Sequence, residues 1–259
     1  MTYIEEAKSL ATYYNTKAGN LNLIDGLNCN KCLNRGYTNY VDRGEIKKQE
    51  CSCMARRRVI LAVKNSGAEY LLKIHKFDNY QHGEKWQDYI FKKAESFAEE
   101  NSGLWYIGGQ IGSGKTMICI AILNRMLERG KQCRYYIWQN IVNELNKLQV
   151  DNSPDYETKL VELATIPVLY LDDFIREEPS KAEIKTAYRI INARYMATLG
   201  GQPLITIISS QRLIGQIMTI DEAVGSRIYE MGLNNIIGIE KNEARNWRMK
   251  LIRERIKTI

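Results

Sequence analysis

Beyond residue 84 the chain alternates between two hydrophobic patterns. Short, nearly unbroken apolar runs occupy 104–108, 133–138, 167–171, 203–208 and 235–240. Runs of this length, rich in Ile, Leu and Tyr, predict strands buried on both faces. Between them, apolar residues recur every three or four positions over 85–101, 115–129, 139–148, 156–164, 181–198, 221–231 and 242–256, which predicts helices. In the first of these, Trp86, Tyr89, Ile90, Ala94 and Phe97 share one face, and Gly130 is placed to cap the second. Five buried strands alternating with helices predict an α/β fold, a parallel five-stranded sheet between helical layers.

The first 83 residues read differently. Residues 2–17 place Ile4, Ala7, Leu10, Ala11 and Tyr14 at helical spacing, and Gly19-Asn20 would end that helix. Cys29 and Cys32 follow, then a β-prone stretch over 36–41, a turn at Asp42-Arg43-Gly44, and Cys51 and Cys53. A hairpin would carry the second pair of thiols back to the first. Four thiolates around one point describe a closed tetrahedral site, which suits structural Zn2+. An iron–sulfur cluster is the rival, and zinc better fits a ribbon-like hairpin in a chain without other redox features. So small a module lacks the core to hold itself together, so the metal would do so. Cys119 and Cys133 lie inside apolar runs and read as buried small hydrophobes. A basic helix is expected over 54–65, and His75, between Lys73 and Lys76, reads as a solvated side chain. The expected organisation is a zinc-binding domain over 1–55, a linker and approach over 56–83, and the α/β core over 84–259.

The run 104–108 opens onto Gly109-Gln110-Ile111-Gly112-Ser113-Gly114-Lys115-Thr116. Strand, glycine loop and helix form the context a phosphate-binding loop requires. The glycines let backbone N–H groups turn inward around phosphate oxygens, and the helix directs its positive end at the same anion. Lys115 would reach the β- and γ-phosphates, and the Thr116 hydroxyl would hold Mg2+.

A nucleotide hydrolase needs a second, acidic element. The run 167–171 ends in Asp172-Asp173, at the carboxyl edge where an open parallel sheet binds its ligands. Asp172 would hold Mg2+ through water, and Asp173 would orient or deprotonate the attacking water. The alternative is that an aspartate here caps the next helix. Ser209, Ser210 and Gln211 end the following strand, where a polar side chain can touch the γ-phosphate or the water. Arg227 reads equally as a surface ion pair or as an arginine reaching a neighbouring subunit's γ-phosphate.

Composition narrows the class. The 259 residues suffice for one large domain and a small one, at 44% hydrophobic and 26% charged content. No apolar run approaches the ~20 residues of a membrane span. The first residues carry acids rather than an apolar leader, so a cytoplasmic protein with no membrane partner is expected. Net charge is +7, concentrated in Arg56-Arg57-Arg58 and in residues 241–259. That last stretch sets Lys241, Arg245, Arg248, Lys250, Arg253, Arg255 and Lys257 against Glu243 and Glu254. Both stretches read evenly as solvated helix faces or nucleic-acid contacts.

In order along the chain stand the four cysteines, Phe77-Asp-Asn-Tyr80, the loop 109–116 and the stretch 169–174. After them come Asn192-Ala-Arg194-Tyr195, the stretch 205–211 and Gly225-Ser-Arg227-Ile228. With these pieces the chain resembles the AAA+ replicative-helicase loaders of the bacterial DnaC/DnaI type, a family that includes the transposition helper IstB. The resemblance covers nearly the whole chain. It implies an AAA+ P-loop NTPase core with a reduced lid, behind a zinc-bearing N-terminal domain that docks on the hexameric replicative helicase. It also implies a core that binds ATP with Mg2+, assembles with its neighbours and contacts single-stranded DNA. Asp172 and Asp173 match the Walker B pair, and Arg227 the arginine finger acting in trans. Gln211 stands where the family usually has a sensor asparagine, and Arg248 is the candidate for a second sensor arginine. The implied function is slow, ATP-dependent loading of the helicase onto single-stranded DNA, in a phage or mobile-element setting. Assistance to a transposase by an IstB-like ATPase is the alternative.

Overall fold

The computed structural model describes residues 2–65, 75–80, 82–176, 178–247 and 249. Thr2 opens α1 (Tyr3–Asn15) through a reciprocal cap. Its hydroxyl accepts from the Glu5 N–H at 3.4 Å, and the Glu5 carboxylate accepts from the Thr2 N–H at 2.7 Å. α1 buries Ala7 and Ala11 and packs on a hairpin of β1 (Tyr37–Asp42) and β2 (Glu45–Glu50). A short helix, α2 (Leu21–Asp25), lies between them in sequence. Arg43 and Gly44, at φ of 52° and 86°, make the two-residue turn that matches strand twist. Asn15 fastens the end of α1 as an edge strand would: its side-chain amide donates to the Asn39 carbonyl and accepts from the Asn39 N–H, each at 2.8 Å.

α3 (Cys53–Asn65) joins this module to the rest, with Cys53 in its first turn and Val59 buried in the main core. The basic run on it is not a uniform solvated face. Arg57 is fully buried, with Nη1 donating to both Asp25 oxygens at 2.5 and 2.6 Å. Its Nη2 donates to the Leu27 carbonyl at 2.8 Å and to Asn34 Oδ1 at 3.0 Å. Arg57 therefore serves neither as a solvated residue nor as a nucleic-acid contact.

The main sheet contains β3 (Gly103–Gly109), β4 (Cys133–Ile137), β5 (Val168–Asp172), β6 (Ile205–Ser209) and β7 (Ile236–Ile239), all parallel, in the order β4-β5-β6-β3-β7. Strand side chains alternate between two cores. Trp105, Ile107, Tyr135, Tyr170 and Ile207 pack with α4 (Lys85–Ala98) and α5 (Lys115–Glu128). Leu104, Tyr106, Leu169, Leu171 and Ile208 pack with α6 (Trp138–Val150), α7 (Asp155–Thr165) and α8 (Lys181–Leu199). Two further helices, α9 (Ile214–Ile220) and α10 (Glu222–Gly232), close that second face. The spacing predicts one helix over 221–231. α9 precedes it because Asp221 ends one helix and caps the next, its Oδ1 accepting from the Val224 N–H at 2.8 Å.

Arg194 on α8 is fully buried, with no carboxylate partner among the described residues. Nε donates to Thr206 Oγ1 at 2.7 Å, Nη1 to the Leu163 and Ile166 carbonyls at 2.9 and 3.0 Å, and Nη2 to the Ile205 carbonyl at 2.7 Å. It satisfies the orphan carbonyls at the end of α7 and locks them to β6.

Where a helix is expected over 242–256, the described residues form a 3-10 turn at Glu243–Arg245. Arg248, Lys250, Arg253, Arg255 and Lys257 lie outside the described residues, as does Lys73. Among the described residues no helix is long and apolar enough to cross a membrane.

Candidate nucleotide site and cysteine centre

The chain leaves β3 for the far edge strand β4 and later lays β6 and β7 on either side of β3. Such a reversal opens a crevice beyond the carboxyl ends of the strands. The loop there is glycine-dependent. Gly109 sits at φ 108°, and a Cβ on it would lie 2.1 Å from the Ile239 carbonyl oxygen. Gly114, at φ 88°, turns the chain into α5. Lys115 Nζ donates to the Gly109 and Gln110 carbonyls at 2.9 and 2.6 Å, so the loop is closed around its own lysine.

Alternation along β5 puts Asp172 on the α5 side, with Tyr170. There the buried carboxylate gathers four hydroxyl groups. Thr116 Oγ1 donates to Oδ1 at 3.2 Å, the Tyr170 hydroxyl to Oδ1 at 2.8 Å, and the Tyr135 hydroxyl to Oδ2 at 3.0 Å. Ser209 Oγ also donates to Oδ1. Burial, with the Asp172 charge beside it, pushes the Tyr170 phenol well above its ordinary range, so it remains a donor. Asp173 lies in the turn after β5 at φ 56°, its N–H donating to Ser209 Oγ at 3.2 Å and its Oδ1 accepting from Gln211 Nε2 at 3.4 Å. The cap of α8 is Ser180, whose hydroxyl accepts from the Glu183 N–H at 3.1 Å, so neither aspartate is a helix cap.

Two cavities meet at this loop. One, of about 250 Å³, is lined by residues 111–117 with Asp173, Arg176, Gln211 and Trp247. The other, of about 340 Å³, shares Ser113, Gly114, Met117 and Trp247 and adds His75, Asn79, Tyr80 and Gln87. His75 is therefore not solvated: it is buried, and burial pushes its imidazole below the ordinary value. Asn124 on α5 draws the segment in, its Nδ2 donating to the His75 carbonyl at 2.9 Å. One cavity is lined by Lys115 and the Asp173 carboxylate. The other mixes apolar surface with two side-chain amides, the lining a flat heterocycle takes.

Arg227 is not among the residues lining either cavity. On α10, its Nε donates to Asn192 Oδ1 at 2.9 Å and its Nη1 to the Ala223 carbonyl at 2.8 Å. The rings of Tyr188 and Tyr195 flank it at 5.3 and 5.6 Å. The structure thus brings Lys115, Thr116, Asp172, Asp173 and Gln211 together and leaves Arg227 apart. Sequence reasoning singled out Ser209, though not its bond to Asp172, and missed Tyr135, Tyr170, Arg176 and Trp247. Tyr170 had a signal, two positions before Asp172 on the same strand face, and Tyr135 is its register partner. Trp247, whose N–H donates to the Gly112 carbonyl at 2.9 Å, had none.

In the N-terminal module the sulfur atoms of Cys29, Cys32, Cys51 and Cys53 all lie within 4.8 Å of one another. Cys29 and Cys51 are 3.8 Å apart at sulfur, and Cys32 and Cys53 3.6 Å. A tetrahedral ion with metal–sulfur bonds of about 2.3 Å has edges of about 3.8 Å, so the set fits one ion. A multi-atom cluster would hold the thiolates farther apart. The Gly36 N–H points at Cys32 Sγ at 3.4 Å, and the buried Arg57 Nε, beside Cys53, has no partner among the described residues. Both are donors suited to the negative charge of metal-bound thiolates.

Residues 34–220, more than half of the chain, match the IstB-like ATP binding protein family. The chain belongs to that family. It is 28% identical over 205 residues to the uncharacterised protein YqaM of Bacillus subtilis, covering 73% of this chain and 62% of YqaM. XkdC, of the phage-like element PBSX of Bacillus subtilis, is 26% identical over 221 residues, covering 78% of this chain and 79% of XkdC. Among solved structures, the DnaC helicase loader superposes with a TM-score of 0.52 at 22% identity, over 65% of this chain and 97% of that one. The core of this IstB-like protein thus has the fold of the DnaC helicase loader, and its family is one described as ATP binding.

Proposed function

We propose that this protein is an ATP-dependent loader that places a hexameric replicative helicase on single-stranded DNA. The observation that carries the reading is the meeting of Thr116 and Asp172 beside Lys115, at a cleft that joins a second, base-sized cavity. The fold likeness to the DnaC helicase loader and the relative in a phage-like element support the choice of partner.

On nucleotide binding, Lys115 exchanges its two carbonyl partners for the β- and γ-phosphates, and the backbone amides of Gln110 to Gly114 turn to the same oxygens. Asn79 and Gln87 hold the base. The Thr116 hydroxyl and Asp172 would hold Mg2+, which would supply positive charge to the phosphates. Asp173 orients the attacking water and accepts its proton, and Gln211, already in contact with Asp173, lies against the γ-phosphate. Arg227 completes the site of a neighbouring subunit in trans. Cys29, Cys32, Cys51 and Cys53 would hold Zn2+, which supplies the fold energy of a module with little core. On that module Tyr3, Leu10, Tyr13 and Tyr14, each 46–74% exposed, lie on one face of α1 and contact the helicase. Single-stranded DNA binds the core and the basic stretch of sequence after Lys241, and the protein acts in the cytoplasm.

The test is capture of the purified host replicative helicase by the full chain, with and without ATP. Parent protein should retain the helicase, and Leu10→Glu with Tyr14→Glu should lose it while ATP binding persists. Helicase capture that survives the α1 changes, or that never occurs, contradicts the reading.

A further inference from the structure

We infer that Arg176 is a γ-phosphate ligand acting within its own chain, and that it releases Asp173 by changing partners. The inference rests on reading the cleft as an ATP site. The turn after β5 is held firmly. The Phe174 N–H donates to the Ser209 carbonyl at 2.8 Å, Ser210 Oγ to the Phe174 carbonyl at 2.7 Å, and Arg212 Nε to the Ile175 carbonyl at 3.1 Å. The backbone leading to Arg176 is therefore fixed on the end of β6, at the mouth of the phosphate cleft. Its side chain is not. It is 59% exposed, and its Nη1 stands 4.0 Å from Asp173 Oδ2. That distance is too long for a hydrogen bond, and an exposed pair of this kind contributes little.

Charge decides what the arginine is for. Among the described residues lining the cleft, Lys115 and Arg176 are the cations, set against Asp173, with Asp172 just behind. The four charges cancel. Without Arg176 the site would be net negative before a triphosphate arrived. Arg227 is held elsewhere in the same chain. A guanidinium fork binds phosphate oxygens bidentately and far better than a distant carboxylate. With ADP, Arg176 stays on Asp173. With ATP, it moves to the γ-phosphate and leaves the Asp173 carboxylate to the water. Asp173 is thereby freed only when there is a γ-phosphate to attack.

The test is equilibrium titration of the full chain with ATP and with ADP. Arg176→Ala should weaken ATP by about tenfold or more, the worth of one charge-assisted contact, and leave ADP within about twofold. Arg176→Lys should fall between, because it keeps the charge and loses the fork. Thermal melts without nucleotide should match the parent, since the side chain is exposed. Lys115→Ala serves as the control and should lose both nucleotides. If Lys115→Ala behaves so while Arg176→Ala leaves the ATP-to-ADP ratio unchanged, Arg176 has no such role and the ATP site stands. Equal weakening of both nucleotides by Arg176→Ala also overturns the inference. If the parent binds neither nucleotide, the site and the inference fall together.

Discussion

Thr116 and Asp172, 56 residues apart, meet at 3.2 Å, hydroxyl to carboxylate. This contact joins the first turn of the helix behind the glycine loop to the end of the acidic strand. Three more hydroxyls, from Tyr135, Tyr170 and Ser209, fix the same carboxylate in place. Asp172→Asn keeps the shape and removes the charge. ATP affinity should change by no more than a few-fold, while hydrolysis should fall by about a hundredfold or more. Nucleotide titration beside a phosphate-release assay checks both, and unimpaired hydrolysis would remove Asp172 from the mechanism.

Arg194 makes a prediction about stability alone. Its replacement by Met keeps much of the volume and leaves the Leu163, Ile166 and Ile205 carbonyls and the Thr206 hydroxyl without their donor. The cost should be about 3 kcal/mol or more, because buried acceptors lose a charged partner. Urea unfolding of the two proteins measures it. A change below about 1 kcal/mol would mean that water replaces the guanidinium.

These two sites show what the chain reveals of its own fold. The five strands were legible because buried parallel strands are apolar throughout, and the glycine loop was legible because its chemistry is local. Sheet order was not, since β3 pairs with β6 and β7 from distant parts of the chain. The hydroxyls around Asp172 depend on that order: Ser209 arrives from β6 and Tyr135 from β4. His75 was misread because flanking lysines imitate a surface stretch, while the bond from Asn124 that buries it comes from α5. Arg57 was misread for a similar reason, its partner Asp25 lying 32 residues away.

The cysteine centre predicts about one zinc per chain by elemental analysis of tag-free protein. A structural four-thiolate site contributes on the order of 10–16 kcal/mol of apparent binding at neutral pH. Chelation, or Cys32→Ser, should therefore unfold the hairpin and α1 while ATP binding by the core persists. Iron in place of zinc, or a hairpin that survives chelation, contradicts the assignment.

His75 predicts a pH effect. Burial lowers its folded-state pKa below the unfolded value of about 6.5, so the unfolded chain takes up the proton more readily. Its contribution is fully present above about pH 6.5 and is lost as pH falls through the folded value. The parent should thus lose more thermal stability between about pH 7.5 and pH 5.5 than His75→Gln does. Equal losses would mean that the imidazole reaches solvent.

The central claim is that ATP held at Lys115 drives a helicase ring onto DNA. Circular single-stranded DNA tests it most directly, because a closed circle offers no end to thread. Helicase should be recovered on the circles with parent protein and ATP, and neither without ATP nor with Lys115→Ala. Recovery that is the same with parent, with Lys115→Ala and with no added protein would contradict the account.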